Sequence, residues 1–316
     1  MENPSQNNWR HPPKEADENY TYLSDIEQEC KQYKEQFKGQ RIYCNCDDAR
    51  WSQFWKYFLM NFHVLGLKSL DATCFHEGQH GEHWHYEGGC PTEVIQEALI
   101  TKNMDLVFKY CNYEVLDNDG SYEYQTNILN ETDIIVTNPP FSLYKQLLPF
   151  LVKHKKKYLM IGPLNIRTYK EIAPLFMEGK VSVGYNAVKE FYHPDGTTQK
   201  FGNICWYTNL DTRKWHERTE YYSRYTPDKY PRYDNYDAIE IGKLKNIPCD
   251  WTGVMGVPIT FFDHNCADQF EIIGDCRAEK GYSNILNGKT LYYRYYIKWK
   301  PEAMPRINEK GIIIYD

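Results

Sequence analysis

No stretch of this chain approaches the roughly 18–20 consecutive apolar residues that a membrane-spanning helix requires, and the mean hydropathy is −0.72, so no membrane partner is expected. The opening run Met1-Glu2-Asn3-Pro4-Ser5-Gln6-Asn7-Asn8 is polar and lacks an apolar signal core, which argues against export and for a cytoplasmic location. A disulfide scaffold is equally absent: the ten cysteines are scattered through 316 residues with no dense, even framework, as suits reduced thiols. Nor is there a basic surplus. Lys and Arg total 37 against 43 Asp and Glu, a net charge of −6, so the chain lacks the bulk electrostatic footprint of a nucleic-acid binder. The deficit is uneven. Residues 211–316 carry 16 basic and 16 acidic side chains, which leaves all the excess negative charge in residues 1–210 and a neutral last third that can still face a polyanion. No internal repeat occurs.

What is present is a hydrophobic fraction of 41%, enough for a packed core in one large domain or two medium ones, and 28 tyrosines, whose flat faces and hydroxyls suit interfaces and stacked bases. Residues 1–18 are polar and aperiodic and read as disordered. A helix is expected from Tyr20 to about Phe37, with Gly39 as its stop. Arg41-Ile42-Tyr43-Cys44 reads as a short buried strand, Trp51 to Leu65 as an amphipathic helix ended by Gly66, and residues 67–74 as a second strand, together a βαβ unit. The clearest strand is Asp133-Ile134-Ile135-Val136-Thr137. A helix with Leu143, Leu147 and Leu151 on one face follows, then a strand over 158–162 and a helix over 169–177. This alternation predicts a mostly parallel sheet with helices on both faces. Beyond residue 211 the chain becomes Tyr-rich, with strand-like runs at 255–262, 270–273 and 291–299, and reads as a smaller β-containing module.

In an open α/β sheet, ligands gather at the carboxyl ends of the strands. Asn138-Pro139-Pro140-Phe141 occupies one such end. Its residues supply what methylation of an aromatic amino group requires. The lone pair of such an amine is delocalised into the ring, which makes it a poor nucleophile. An Asn side-chain oxygen and the carbonyl of the next residue can accept its two N–H bonds, drawing nitrogen towards tetrahedral geometry and freeing the lone pair. Two prolines hold the loop rigid, because their φ angles are fixed. Phe141 offers a face on which a base taken out of its stack can rest. The bland alternative is a rigid turn after a buried strand; the strand before the tetrapeptide and the helix after it weigh against that alternative.

The stretch Asp133 to Tyr144, DIIVTNPPFSLY, resembles the adenine-N6 DNA methyltransferases, and more narrowly the family of the EcoRI modification methylase. The likeness extends to residues 43–48 with 54–58, to Gly66-Leu67-Lys68, to residues 255–261 with 270–274, and to Asn287-Gly288-Lys289, so it spans roughly residues 18 to 300. It implies a Rossmann-like S-adenosylmethionine-dependent methyltransferase sheet, S-adenosyl-L-methionine as cofactor, double-stranded DNA as substrate and N6-methyladenine as product. Under it, Asn138 and the Pro139 carbonyl bind the target amine and Phe141 stacks on the base. Asn19, Tyr20 and Thr21 resemble a segment that helps hold the methionine part of the cofactor. Asn45, Cys46 and Asp47 stand in the usual cofactor loop, although no Gly-x-Gly follows the first strand. Residues 119–122 resemble a Gly-Asp-Phe segment near the cofactor adenine. Ser121 stands where its Asp is expected, so either Asp119 substitutes or that contact is lost. Glu77, just past the second strand, is the candidate ribose carboxylate.

Other clusters carry less. Cys74, His76, His80, His83, His85 and Cys90 lie within 17 residues, but their spacing matches no familiar zinc finger or ribbon, so a solvated loop or hairpin is expected and no metal is assigned. His154 to Lys157 reads as a solvated helix end rather than a phosphate contact. Arg224 and Arg294, each set among tyrosines, are the candidate DNA contacts, with packing as the alternative for the second. The division expected is a disordered segment 1–18, a catalytic domain 19–210 and a target-recognition module 211–316. The protein is expected to act as a monomer, with any cognate restriction endonuclease acting separately. Open alternatives are an acceptor in RNA adenine, cytosine N4 or a protein glutamine, and a DNA-binding relative whose cofactor site has decayed.

Overall fold

The computed structural model describes residues 20–75, 79–192, 197–263, 268–277 and 284–315; the expected disorder at 1–18, Asn19, His76 and the candidate Glu77 all lie outside them. In chain order the elements are β1 (Tyr20–Thr21), α1 (Leu23–Cys30), α2 (Lys34–Phe37), β2 (Arg41–Cys44), α3 (Gln53–Leu65), β3 (Ser69–Cys74), β4 (Glu82–Tyr86), α4 (Thr92–Thr101), α5 (Asp105–Phe108) and β5 (Asn112–Val115). They continue with α6 (Thr126–Glu131), β6 (Ile134–Thr137), α7 (Tyr144–Lys153), β7 (Lys157–Pro163), α8 (Ala173–Met177), β8 (Ser182–Tyr192) and β9 (Thr198–Thr208). Then come β10 (Ala238–Glu240), β11 (Val254–Pro258), β12 (Phe270–Asp275), β13 (Ile285–Leu286), β14 (Lys289–Thr290) and β15 (Arg294–Trp299). Two compact units result. The first holds the described residues through Leu164 together with Gly184–Leu210; the second holds Asn165–Val183 together with the residues from Asp211 on.

The first unit is a nine-stranded sheet in the order β1-β8-β9-β7-β6-β2-β3-β4-β5. Only its centre, β7-β6-β2-β3, is parallel. β9 pairs antiparallel with β7 on one side, and β4 pairs antiparallel with β3 on the other. The expectation of a mostly parallel sheet is thus corrected to a mixed sheet with a parallel core. Loop length is the reason: residues 75–81, between β3 and β4, are too few for the crossover a parallel partner needs. Residues 74–90, expected as loop or hairpin, contribute strand β4.

Helix α3 starts where Ser52 Oγ accepts hydrogen bonds from the Phe54 and Trp55 amides at 3.1 and 3.2 Å. It ends at Gly66, whose φ of +58° is the left-handed value expected of a helix-terminating glycine. Its buried face carries Phe54, Trp55, Phe58, Leu59, Phe62 and Leu65. These rings meet Phe37, Trp206 and Tyr86 edge-on at centroid distances of 5.2, 5.8 and 4.7 Å. The helix expected over Tyr20–Phe37 is divided instead: Tyr20 and Thr21 pair with Tyr192 and Phe191 as strand, and a 3-10 turn over Lys31–Tyr33 separates α1 from α2.

The second unit has a sheet ordered β10-β11-β15-β12, in which β15 runs antiparallel to both β11 and β12. The strand expected over 255–262 ends at Pro258 and continues as a 3-10 turn, Ile259–Asp263. Segment 165–183 belongs to this unit because Arg167, fully buried, donates to the Ile259 carbonyl at 2.9 Å and to Asp263 Oδ1 at 2.8 Å. Phe176 packs on Phe262 at 4.8 Å. The helix expected over 169–177 shortens to α8, with Pro174 in its first turn. Among the described residues no helix is long and apolar enough to cross a membrane.

Behind the carboxyl end of β6, Tyr144 is fully buried and its hydroxyl donates to the Ile161 carbonyl. A Cβ on Gly162 would lie 2.5 Å from the Tyr144 ring. Gly162→Ala is therefore expected to lower unfolding free energy by about 1–3 kcal/mol through overpacking. Urea denaturation measures this, and a neutral or stabilising result would contradict the packing described.

Candidate active site

Strand β2 is followed by β3 on one side and, after the intervening segment, by β6 on the other. The loops leaving the carboxyl ends of β2 and β6 therefore stand at the switch point between the two strands, where open α/β sheets bind their ligands. Asn45 to Asp48 follow β2, and Asn138 to Phe141 follow β6. One carboxylate joins them. Asp47 Oδ1 accepts from Ser52 Oγ at 2.7 Å, and Oδ2 accepts from Thr137 Oγ1 at 2.8 Å. The Asp47 amide donates to the Thr73 carbonyl on β3 at 3.1 Å. The loop after β2, the N-cap of α3 and the last residue of β6 are thereby held in one register.

Thr137 is fully buried at the strand end, Asn138 is half-buried, Pro139 is buried and Pro140 is exposed. Phe141 is half-buried against the core and opens a 3-10 turn over Phe141–Leu143, closed by the Leu143 amide on the Pro140 carbonyl at 2.9 Å. Helix α7 then leads away. On the facing loop, Asn45 is 4% exposed, and its buried side-chain oxygen has no hydrogen-bond partner among the described residues. Burial, reinforced by the Asp47 carboxylate, pushes the Cys46 thiol well above its ordinary value and keeps it neutral.

Residues 119–121 come to the same edge. Gly120 adopts φ +86°, and a Cβ there would lie 2.2 Å from the Cys74 carbonyl at the end of β3, so only glycine lets this loop approach. Asp119 Oδ1 accepts from the Ser121 amide at 2.9 Å, and hydrogen bonding from the Ser121 side chain, then from this amide, holds the carboxyl below the usual range. Tyr20 and Thr21 lie on edge strand β1, and a short relay links Tyr20 to α3. Tyr20 stacks on Tyr192 at 5.6 Å, and the Tyr192 hydroxyl accepts from Gln53 Nε2 at 2.8 Å. Thr21 is buried and its hydroxyl also lacks a partner among the described residues. Asn45 Oδ1 on the β2 loop and Thr21 Oγ1 on β1 are buried polar atoms that a polar ligand would satisfy, so the residues present fit a cofactor that offers hydrogen-bonding groups.

Sequence reasoning missed the rim beside these loops. Arg50 donates through Nη1 to Asp48 at 3.0 Å and to Glu82 at 2.5 Å, and through Nη2 to Glu82 at 2.9 Å. Burial opposes its charge, but the two carboxylates outweigh that and hold the guanidinium above its ordinary value. Tyr113 adds a hydrogen bond to Glu82 at 2.8 Å. Glu82 lies on β4, 32 residues from Arg50, and no local pattern signals that pairing.

In the second unit, Arg224 is exposed and donates to the Gly311 carbonyl. Arg294 is committed inward: its Nη2 donates to Glu240 Oε1 at 2.9 Å and its Nη1 to the Tyr292 carbonyl at 2.9 Å. Its side chain is 12% exposed, which is the packing alternative rather than a surface contact.

Removing the Asp47 carboxylate breaks two charge-assisted hydrogen bonds. Asp47→Ala should lower unfolding free energy by about 2–4 kcal/mol. Asp47→Asn should retain much of that stability, because its amide can accept from one hydroxyl and donate to the other. Chemical denaturation of the two variants tests this, and equal losses would sink the bridging role.

The chain matches the family described as adenine-specific methyltransferase EcoRI over residues 10–311. It is 38% identical over 307 residues to the Type II methyltransferase M.EcoRI of Escherichia coli, an alignment covering 90% of this chain and 94% of that protein. It is 34% identical over 297 residues to the Type II methyltransferase M.MpnI of Mycoplasma pneumoniae, covering 87% and 86%. With the Type II methyltransferase M.MgeORF184P of Mycoplasma genitalium it shares 30% over 317 residues, covering 88% and 94%. No solved structure matches the chain. The resemblance carried by DIIVTNPPFSLY is borne out across nearly the whole length, and the chain belongs to the EcoRI family of adenine-specific methyltransferases.

Proposed function

We propose that this protein is a site-specific DNA adenine-N6 methyltransferase that uses S-adenosyl-L-methionine. The observation that carries this reading is the position of Asn138-Pro139-Pro140-Phe141 at the carboxyl end of β6, joined across the switch point to the β2 loop by the Asp47–Thr137 hydrogen bond at 2.8 Å. Bound S-adenosyl-L-methionine would supply a sulfonium methyl group whose carbon an amine nitrogen can attack, with the neutral thioether as leaving group. The chain's own residues must make the amine competent and hold it still. Asn138 Oδ1 and the Pro139 carbonyl accept the two N–H bonds of the target amine, which localises its lone pair on nitrogen. The fixed φ of each proline keeps both acceptors in place without reorganisation. Phe141 stacks on the adenine once the base has left the duplex. Positioning supplies most of the rate, since the methyl donor is already activated.

Asn45, with its unsatisfied buried oxygen, is the first candidate to hold the cofactor, followed by Thr21 and the backbone around Cys46. Tyr20, linked to α3 through Tyr192 and Gln53, and Asp119 to Ser121, whose Gly120 lies against Cys74 at the end of β3, are the further candidates. Asp47 serves both loops at once. Sequence selection falls to the second unit, in which Arg224 is the exposed candidate for phosphate or base contacts and Arg294 braces Glu240. In this reading the substrate is double-stranded DNA in the cytoplasm, the protein acts as a monomer, and any cognate endonuclease acts separately.

Asn138→Ala should reduce methyl transfer by about 100–1,000-fold while leaving the cofactor Kd nearly unchanged, because the side chain acts on the acceptor. Titration calorimetry with S-adenosyl-L-methionine and a methyl-transfer assay on duplex DNA separate the two effects. Loss of cofactor binding in the variant would overturn the assignment. Single-molecule sequencing of DNA from cells expressing the wild-type chain should show N6-methyladenine at one recurrent sequence; unmodified DNA with methylated RNA or protein would move the acceptor elsewhere.

A further inference from the structure

On the far half of the sheet, the pairing of β3 with β4 builds a cluster that methyl transfer does not use. His83 and His85 alternate along β4 and so share one face, and Asp71 on β3 lies directly opposite His85. Asp71 is 7% exposed. Its Oδ1 sits 2.9 Å from His83 Nε2 and 2.7 Å from His85 Nδ1, and the three donor atoms lie within 4.8 Å of one another. Ser69 Oγ donates to the other carboxylate oxygen at 3.1 Å.

A second observation concerns the outer side of each ring. His83 Nδ1 meets Glu114 Oε1 at 2.8 Å, and His85 Nε2 meets Glu87 Oε1 at 3.3 Å. Each imidazole thus has one nitrogen directed at Asp71 and the other held by a separate carboxylate. Such outer carboxylates fix ring tautomers and raise the basicity of nitrogens that bind metal ions. The other convergent group, Asp48, Cys74 and Glu82, contrasts with this one because the Arg50 guanidinium already occupies both of its carboxylates.

We propose that Asp71, His83 and His85 form a binding site for a divalent transition-metal cation of the zinc type, with solvent completing the coordination. Two imidazole nitrogens and one carboxylate oxygen form a donor set that zinc accepts. Tetrahedral ligands at zinc distances stand about 3.3 Å apart, so the two contacts on Asp71 Oδ1 need to open by only about half an ångström. The ion would cross-link β3 to β4 through their side chains.

The test begins with full-length protein stripped by a chelator and titrated calorimetrically with zinc chloride. The wild type should take up one equivalent at this site. His83→Ala, His85→Ala and Asp71→Asn should each weaken that binding by about 100-fold or more, and Glu114→Gln by about tenfold. His216→Ala, an exposed histidine in the other unit, should leave it unchanged. Unaltered binding in the His83 and His85 variants, or no binding to the wild type, overturns the site. X-ray absorption by the zinc-loaded wild type decides the matter even where a variant fails to fold. Two imidazoles with oxygen and no sulfur support the proposal, and sulfur ligation overturns it by placing the ion on the cysteines.

Discussion

The arrangement of the site depends on the two oxygens of Asp47. One takes the Ser52 hydroxyl, which itself caps α3, and the other takes the Thr137 hydroxyl, the residue before Asn138. A hydrogen bond to a charged group contributes about 1.5–3 kcal/mol, and a chain of them polarises its members. A displacement at the start of α3 is therefore felt at the end of β6. This also accounts for the absence of a Gly-x-Gly after β2. The Asn45–Asp48 loop is ordered by side-chain hydrogen bonds rather than by glycine geometry, and the α3 amides turn to Ser52.

The parts of the molecule legible in its sequence are those specified locally. Ile134 to Thr137 form an uninterrupted buried strand, and the residues that end it are prolines, so strand, stop and loop all announce themselves. Gly66 marks the end of α3 for the same kind of reason. Strand β4 was hidden because Glu82-His83-Trp84-His85-Tyr86 mixes polar and aromatic residues, and only pairing with β3 and β5 makes them a strand. The polarity of that strand now has an account, since its histidines converge on Asp71 rather than on water. Arg294 shows the converse: a basic residue among tyrosines suits a DNA contact and a half-buried strand equally well. Glu240, 54 residues away, turns it inward. The place of Asn138–Phe141 at a strand end was legible locally, but the neighbouring segments only one by one, because the contacts that assemble them join β1 to β8 and Gly120 to Cys74.

The second unit is organised around similar buried polar contacts. Tyr233 donates to Glu240, which also receives Arg294, and burial with that carboxylate pushes the tyrosine hydroxyl far above its usual range. Nearby, Asp234 accepts from the Asn287 and Gly288 amides at 2.8 and 2.7 Å and so fixes the two-residue turn between β13 and β14.

Arg167 has a consequence for how such a protein can be taken apart or reshuffled. The chain leaves the first unit after Leu164, returns at Gly184 and leaves again after Leu210. A gene fragment ending at residue 210 would still encode Arg167 and Phe176 but not Ile259, Asp263 or Phe262, and would strand a guanidinium and an aromatic ring without their partners. Exchange of the second unit between relatives by recombination therefore requires breakpoints on both sides of residues 165–183 as well as one near 210. A single crossover would yield a chimera with a mismatched core.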